Sequence, residues 1–164
     1  MKNLLYAFVF CLSYSGIAQN AAFVKPNLPV QVKATFESEY PGIKGNTWTL
    51  DKKQLHTTTF IQGNGKECRI WIDERGILVR VREEIEKTDL PKLVLESSDK
   101  RISPNMKTIN YLKFTRIHST MFKTTKKIVY LQKQSDDKHT WTNKFNEKGK
   151  YTGREKSRKF RAAF

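Results

Sequence analysis

The segment Leu28-Pro29-Val30-Gln31-Val32-Lys33-Ala34-Thr35-Phe36-Glu37-Ser38-Glu39-Tyr40-Pro41-Gly42 places an apolar side chain at every fourth position, at Leu28, Val32, Phe36 and Tyr40. That spacing puts one apolar stripe along an amphipathic helix. Pro29 suits the first turn, where its missing N–H is not needed, and Tyr40-Pro41-Gly42 stops the helix. A helix over 29–40 is therefore predicted.

Downstream the period changes to two, as in strands, over 47–50, 55–61, 66–72 and 77–84. Asp51-Lys52-Lys53-Gln54, Gly63-Asn64-Gly65 and Asp73-Glu74-Arg75-Gly76 supply the turns between them. Such short connections imply an antiparallel meander, because a parallel crossover needs about a dozen residues. Cys68, Ile70 and Ile72 alternate with Glu67, Arg69 and Trp71, and Ile77, Val79 and Val81 alternate with Leu78, Arg80 and Arg82. The Ile/Val/Cys face is expected under the helix. Trp71, Arg69, Arg80 and Arg82 would then face away from it, as a candidate binding face.

Past Glu83 to Asp89 the opening motif returns as Leu90-Pro91-Lys92-Leu93-Val94, and strand-like stretches follow over 108–119, 126–133 and 140–145. Asn146-Glu147-Lys148-Gly149 takes the place of Asp73-Glu74-Arg75-Gly76, and 150–155 closes the pattern. Such a return at matched positions suggests internal duplication. Ser97, Ser98 and Asp99 favour turns, so a short or irregular second helix is expected. The expected fold class is α+β, with two tandem units that each pack a helix on an antiparallel β-meander. The units would span 19–88 and 89–155, followed by a basic tail over 156–164.

Met1-Lys2-Asn3, an apolar run from Leu4 to Leu12 and the exit Gly16-Ile17-Ala18 read as a secretory signal peptide over 1–18. The run falls short of the ~20 apolar residues that cross a bilayer. Phe10 precedes Cys11, which argues against a lipoprotein site. No second hydrophobic run follows, so no transmembrane segment is expected in the mature chain.

The chain carries 31 Lys and Arg against 16 Asp and Glu, a formal net charge of +15. Residues 89–164 hold 19 of those cations against 7 of the carboxylates, a surplus of +12. A field of that sign favours anionic partners, although a Lys-rich face can also serve solubility alone. Lys113, Arg116, Lys126, Lys127, Lys144, Lys148 and Arg154 are the candidate basic patch. Cys68 alone remains once the signal peptide is removed, so no intramolecular disulfide is possible. Its place on the apolar face marks it as a buried structural thiol.

The Leu-Pro opening, the Tyr-Pro-Gly close, Trp48, the Gly-x-Gly hairpin and the aromatic-x-Asp-x-x-Gly hairpin together resemble one family. They look like the PepSY-like, beta-lactamase-inhibitor-protein-like exported proteins of bacteria. The resemblance is clear from Leu28 to Val94 and fades afterwards. It implies a tandem α+β fold, export and no established catalytic activity.

No catalytic constellation is legible. His56, His118 and His139 are isolated, and each is expected at the surface rather than on a metal. There is no His-x-x-Glu-His, Cys-x-x-Cys, Gly-x-Ser-x-Gly or calcium-loop pattern, and no specific nucleic-acid motif. Asp73 and Glu74 sit in a turn, where Asp accepts backbone hydrogen bonds. No cofactor or metal is implied. The sequence favours a non-catalytic, exported binding or inhibitor-like module that recognises an envelope protein through an exposed sheet face. An electrostatic binder of anionic polymers and an enzyme with an unseen site remain the alternatives. Trp141, among Lys138, His139 and Lys144, is expected in the core.

Overall fold

The computed structural model describes residues 27–44, 46–120 and 122–158. The signal-peptide segment 1–18 and residues 159–164 of the basic tail lie outside them.

The predicted first helix is present as α1 (Val30–Glu39), with Pro29 as its N-cap and the Tyr40 N–H bonded to the Phe36 carbonyl. Four strands follow: β1 (Trp48–Leu50), β2 (His56–Ile61), β3 (Glu67–Ile72) and β4 (Leu78–Ile85). After a 3-10 turn at Lys87–Asp89 comes α2 (Lys92–Asp99). The chain then forms β5 (Lys107–Ser119), β6 (Thr124–Ser135), β7 (His139–Asn146) and β8 (Tyr151–Arg158). Lys156 to Arg158, assigned to the tail from sequence, continue β8 and pair with β7.

Two separate helix-on-meander units are not what forms. All eight strands make one antiparallel sheet in sequence order, β1 to β8. Arg80 to Ile85 of β4 pair with Arg116 to Tyr111 of β5, which joins the two expected meanders. The physical reason is the cost of edges: two sheets would expose four rows of unpaired backbone groups, whereas one sheet exposes two. The segment from Glu86 to Met106, which carries α2, lies between β4 and β5 and lets β5 return antiparallel beside β4.

Both helices lie on the same side of this sheet. Val32 and Phe36 of α1 pack on Phe60, Cys68, Ile70, Ile72 and Val81. Val94 of α2 packs with Leu90, Tyr111, Tyr130 and Phe145. Phe36 meets Trp48 and Phe60 edge-on, with centroids 5.3 and 5.6 Å apart. A β-bulge between Trp71 and Ile72 places Leu78 opposite Ile72. Val79, expected in the core, is therefore only half-buried, and Leu78 packs on the cluster instead.

The second helix is regular, though short. Ser98, at the position equivalent to Phe36, is fully buried and cannot fill the same space. The sheet below reaches up with amides: Gln132 Nε2 donates to the Ser98 carbonyl at 3.2 Å, and Gln134 Nε2 donates to that of Arg101 at 3.1 Å. Carbonyls in a helix's last turn lack i+4 partners; that of Ser98 takes the Arg101 N–H at 2.9 Å with the Gln132 amide as a second donor, and Gln134 holds the chain just past α2.

The hairpin turns repeat one device. Asp51, Asp73 and Asn146 each accept backbone N–H groups two and four residues on through a side-chain oxygen, as Asx turns do. Burial pushes the Asp73 carboxyl up, but hydrogen bonds from Arg75 and the Ile77 N–H outweigh it and hold it below the ordinary carboxylate range.

Candidate functional site: the open sheet face

Alternation along the strands leaves one complete face of the sheet without a helix. Glu67, Arg69 and Trp71 of β3 lie there, because Cys68, Ile70 and Ile72 point to α1. Register carries the same face across the sheet. Arg69 is opposite Arg82 and Trp71 opposite Arg80; Arg80 is opposite Arg116 and Arg82 opposite Phe114. Phe114, Arg116 and Leu112 are opposite Val129, Lys127 and Leu131 of β6, and Leu131 is opposite Lys144 of β7. No described element covers this face.

Its centre is aromatic and aliphatic, with cations interleaved. The Trp71 and Phe114 rings meet edge to face, 6.2 Å between centroids. The Arg69 guanidinium lies 5.9 Å from the Trp71 centroid and that of Arg116 5.6 Å from Phe114. Arg69 Nε also donates to Thr59 Oγ1 at 2.8 Å, and Arg82 pairs with Glu67. Cation–π stacking of this kind holds long side chains extended over rings. Next to Phe114 lies a groove of about 360 Å³, floored by Val129 and Leu131 and walled by Arg116, Lys127 and Lys144, with Glu155, the partner of Lys144, at its far side.

All four residues of the candidate binding face, Trp71, Arg69, Arg80 and Arg82, thus lie on the open face, half-buried. The candidate basic patch divides between faces. Arg116, Lys127 and Lys144 are on the open face, and Lys144 is paired with Glu155. Lys113 points to the helix side, where it pairs with Glu83 at 3.0 Å, and Lys126 shares that side. Arg154 is on the helix side as well, stacked 3.9 Å from the Trp141 centroid with Lys156 at 4.8 Å, and Lys148 occupies the β7–β8 turn. Trp141 is half-buried beneath these cations. The division follows from strand parity, since Lys126 and Lys127 are adjacent in one strand and must point oppositely.

Phe114, Val129 and Leu131, the floor of this face, were not singled out from sequence. β5 and β6 carry apolar residues on both faces, as Tyr111-Leu112 and Ile128-Val129 show, so no alternation marks them. Phe122, at the tip of the β5–β6 hairpin, was also missed and is 94% exposed.

The histidines do not converge on a metal site. Among the described residues no three of His, Cys, Asp and Glu gather. His118 is exposed and His139 stands beside Asp136, with 3.6 Å between Nδ1 and the carboxylate. His56 departs from the surface expectation: it pairs with Ile72 on the helix side and is buried. Cys68 is fully buried, and burial, with Glu83 nearby, pushes its thiol up to about 12. A thiol in that state is a poor nucleophile.

No family model matches the chain, and no curated protein does. Solved structures do. A DUF2874 family protein from Bacteroides ovatus aligns with a TM-score of 0.63 at 18% identity, covering 78% of this chain and 86% of that one. A protein from Bacteroides eggerthii described as periplasmic aligns with a TM-score of 0.65 at 15% identity, over 78% and 88% of the two chains. A BLIP-like protein from Bacteroides fragilis aligns with a TM-score of 0.60 at 14% identity, over 82% and 89%. At these identities the likeness establishes a shared fold, the BLIP-like one.

Proposed function

We propose that the chain is an exported, non-catalytic binding module that recognises a protein through the open face of its sheet. The observation that carries this reading is the Trp71–Phe114 pair with its flanking guanidiniums, on a face that no described element covers. Interfaces are enriched in Trp, Phe and Arg, and apolar surface on one side of a sheet otherwise costs solubility. Export is supported by the signal-peptide pattern over 1–18 and by the periplasmic description of a structural neighbour. No helix of the described residues is long and apolar enough to cross a membrane. The BLIP-like neighbour supports an inhibitor-like mode of action, and the Leu28-Pro29 and Tyr40-Pro41-Gly42 motifs support PepSY-like kinship in particular.

Capture from envelope extracts at physiological salt tests the reading. A protein retained by the wild-type chain should be lost on Trp71→Ala and kept on Lys126→Ala, whose side chain lies on the helix side. Equal retention by both variants overturns the proposal. The polymer alternative draws on the +12 surplus of residues 89–164 but is weakened by the division of its cations between the two faces.

A further inference from the structure

Arg80, Arg116 and Lys127 stand directly opposite one another on three adjacent strands of the open face. Like charges at opposed positions of neighbouring strands destabilise a sheet. Three other cations nearby are neutralised, Arg82 by Glu67, Lys113 by Glu83 and Lys144 by Glu155, while Arg69 is held by the Thr59 hydroxyl and the Trp71 ring. None of the three in this row has a carboxylate partner among the described residues. The row runs along one end of the groove floored by Phe114, Val129 and Leu131, and two of its members wall that groove. A chain that carries such repulsion uncompensated gains most when an anion from outside settles on it.

We propose that the row and groove receive an acidic segment of a partner protein, in which a carboxylate lies one or two residues from an aromatic side chain. The carboxylate sits on Arg80, Arg116 and Lys127, and the ring lies on Phe114, Val129 and Leu131. A groove of about 360 Å³ accommodates one such side chain. A sulfated or phosphorylated polymer would satisfy the cations and leave the apolar floor wet, so the floor favours a peptide. This inference rests on the reading of the open face as the recognition surface.

The test is a titration of the full isotope-labelled chain with acetyl-Gly-Asp-Phe-Asp-Gly-amide, followed by NMR near 0.15 M salt, where only clustered charge still acts collectively. Saturable shifts are expected at the amides of Phe114, Arg116, Lys127 and Val129. The analogues with Asn for Asp, or Gly for Phe, should bind at least about fivefold more weakly. Arg116→Gln/Lys127→Gln should weaken the Asp-Phe peptide about tenfold or more while the melting temperature holds or rises, because a repulsion is removed. Unchanged peptide binding by that double variant overturns the proposal. So does equal binding of the Gly analogue, or a heparin hexasaccharide that occupies the same residues more tightly than the peptide. If an envelope partner is lost on Trp71→Ala yet retained undiminished by the double variant, the open-face reading stands and the acidic-segment assignment falls. If neither substitution affects capture, both fall.

Discussion

Gly76 lies so close to the first turn of α1 that a Cβ built on it would stand 2.8 Å from the Gln31 carbonyl oxygen. Thr35 Oγ1 donates to the Gly76 carbonyl at 2.6 Å, which completes the contact between helix and turn. Gly149 repeats the arrangement against the Leu93 carbonyl of α2, more tightly still. Both glycines have positive φ, +83° and +73°. Each helix is thus seated on the sheet by a glycine turn as well as by its apolar stripe.

Gly76→Ala and Gly149→Ala should each destabilise by about 2 to 4 kcal/mol, summing a left-handed backbone penalty and a backbone clash. Gly65→Ala is the control, since φ is +77° there with open space around it, and should cost only about 1 kcal/mol. Urea denaturation of the three variants checks this. Equal losses at Gly65 and Gly149 would show that the close approach carries no energy.

Phe36→Ala should cost about 3 to 5 kcal/mol, because the ring is buried among Trp48, Tyr40 and Phe60 and its loss leaves a cavity. Thermal or chemical denaturation reads the loss directly. A change near zero would mean that α1 does not cover the sheet in solution.

Gln132→Leu should cost about 1 to 3 kcal/mol despite its apolar replacement. It strands the Asn143 amide, which donates to Gln132 Oε1 at 3.0 Å, and takes one of two donors from the Ser98 carbonyl, which keeps the Arg101 N–H at 2.9 Å. A neutral or stabilising outcome in urea denaturation would contradict the role given to this amide network.

The Cys68 thiol is raised from 9.0 to about 12 by burial. The folded thiol keeps its proton where the unfolded one has lost it, so its contribution is intact below pH 9 and is lost as pH climbs towards 12. Stability should decline over that window more steeply for the wild type than for Cys68→Ala. A thiol reagent at neutral pH should react only when the chain unfolds, and prompt labelling of the native protein would show the thiol to be accessible.

The local order was legible in the sequence because each signal was short-range. Four-residue spacing from Leu28 to Tyr40 marked α1, and Asx residues in turns marked the hairpins. Alternation placed Ile70 and Trp71 on opposite faces. What joins β4 to β5 was not legible, since that pairing links strands separated by α2 and no turn residue announces it. The bulge at Trp71 and Ile72 was equally hidden, and it exchanged Val79 for Leu78 in the core. The site was legible on β3 and β4, where polar and apolar residues alternate, and illegible on β5 and β6, where they do not.

A partner seated on the open sheet face lies within reach of side chains there and away from those on the helix side. Site-specific photo-crosslinking in the native cells locates it, with the crosslinker placed singly at Thr142 or Asn146 on the open face and at Lys126 or Arg154 on the helix side. A discrete protein adduct is predicted from the two open-face positions, lost when Trp71→Ala is added. An adduct of equal or greater yield from Lys126 or Arg154, with none from Thr142 or Asn146, would place recognition on the helix side instead.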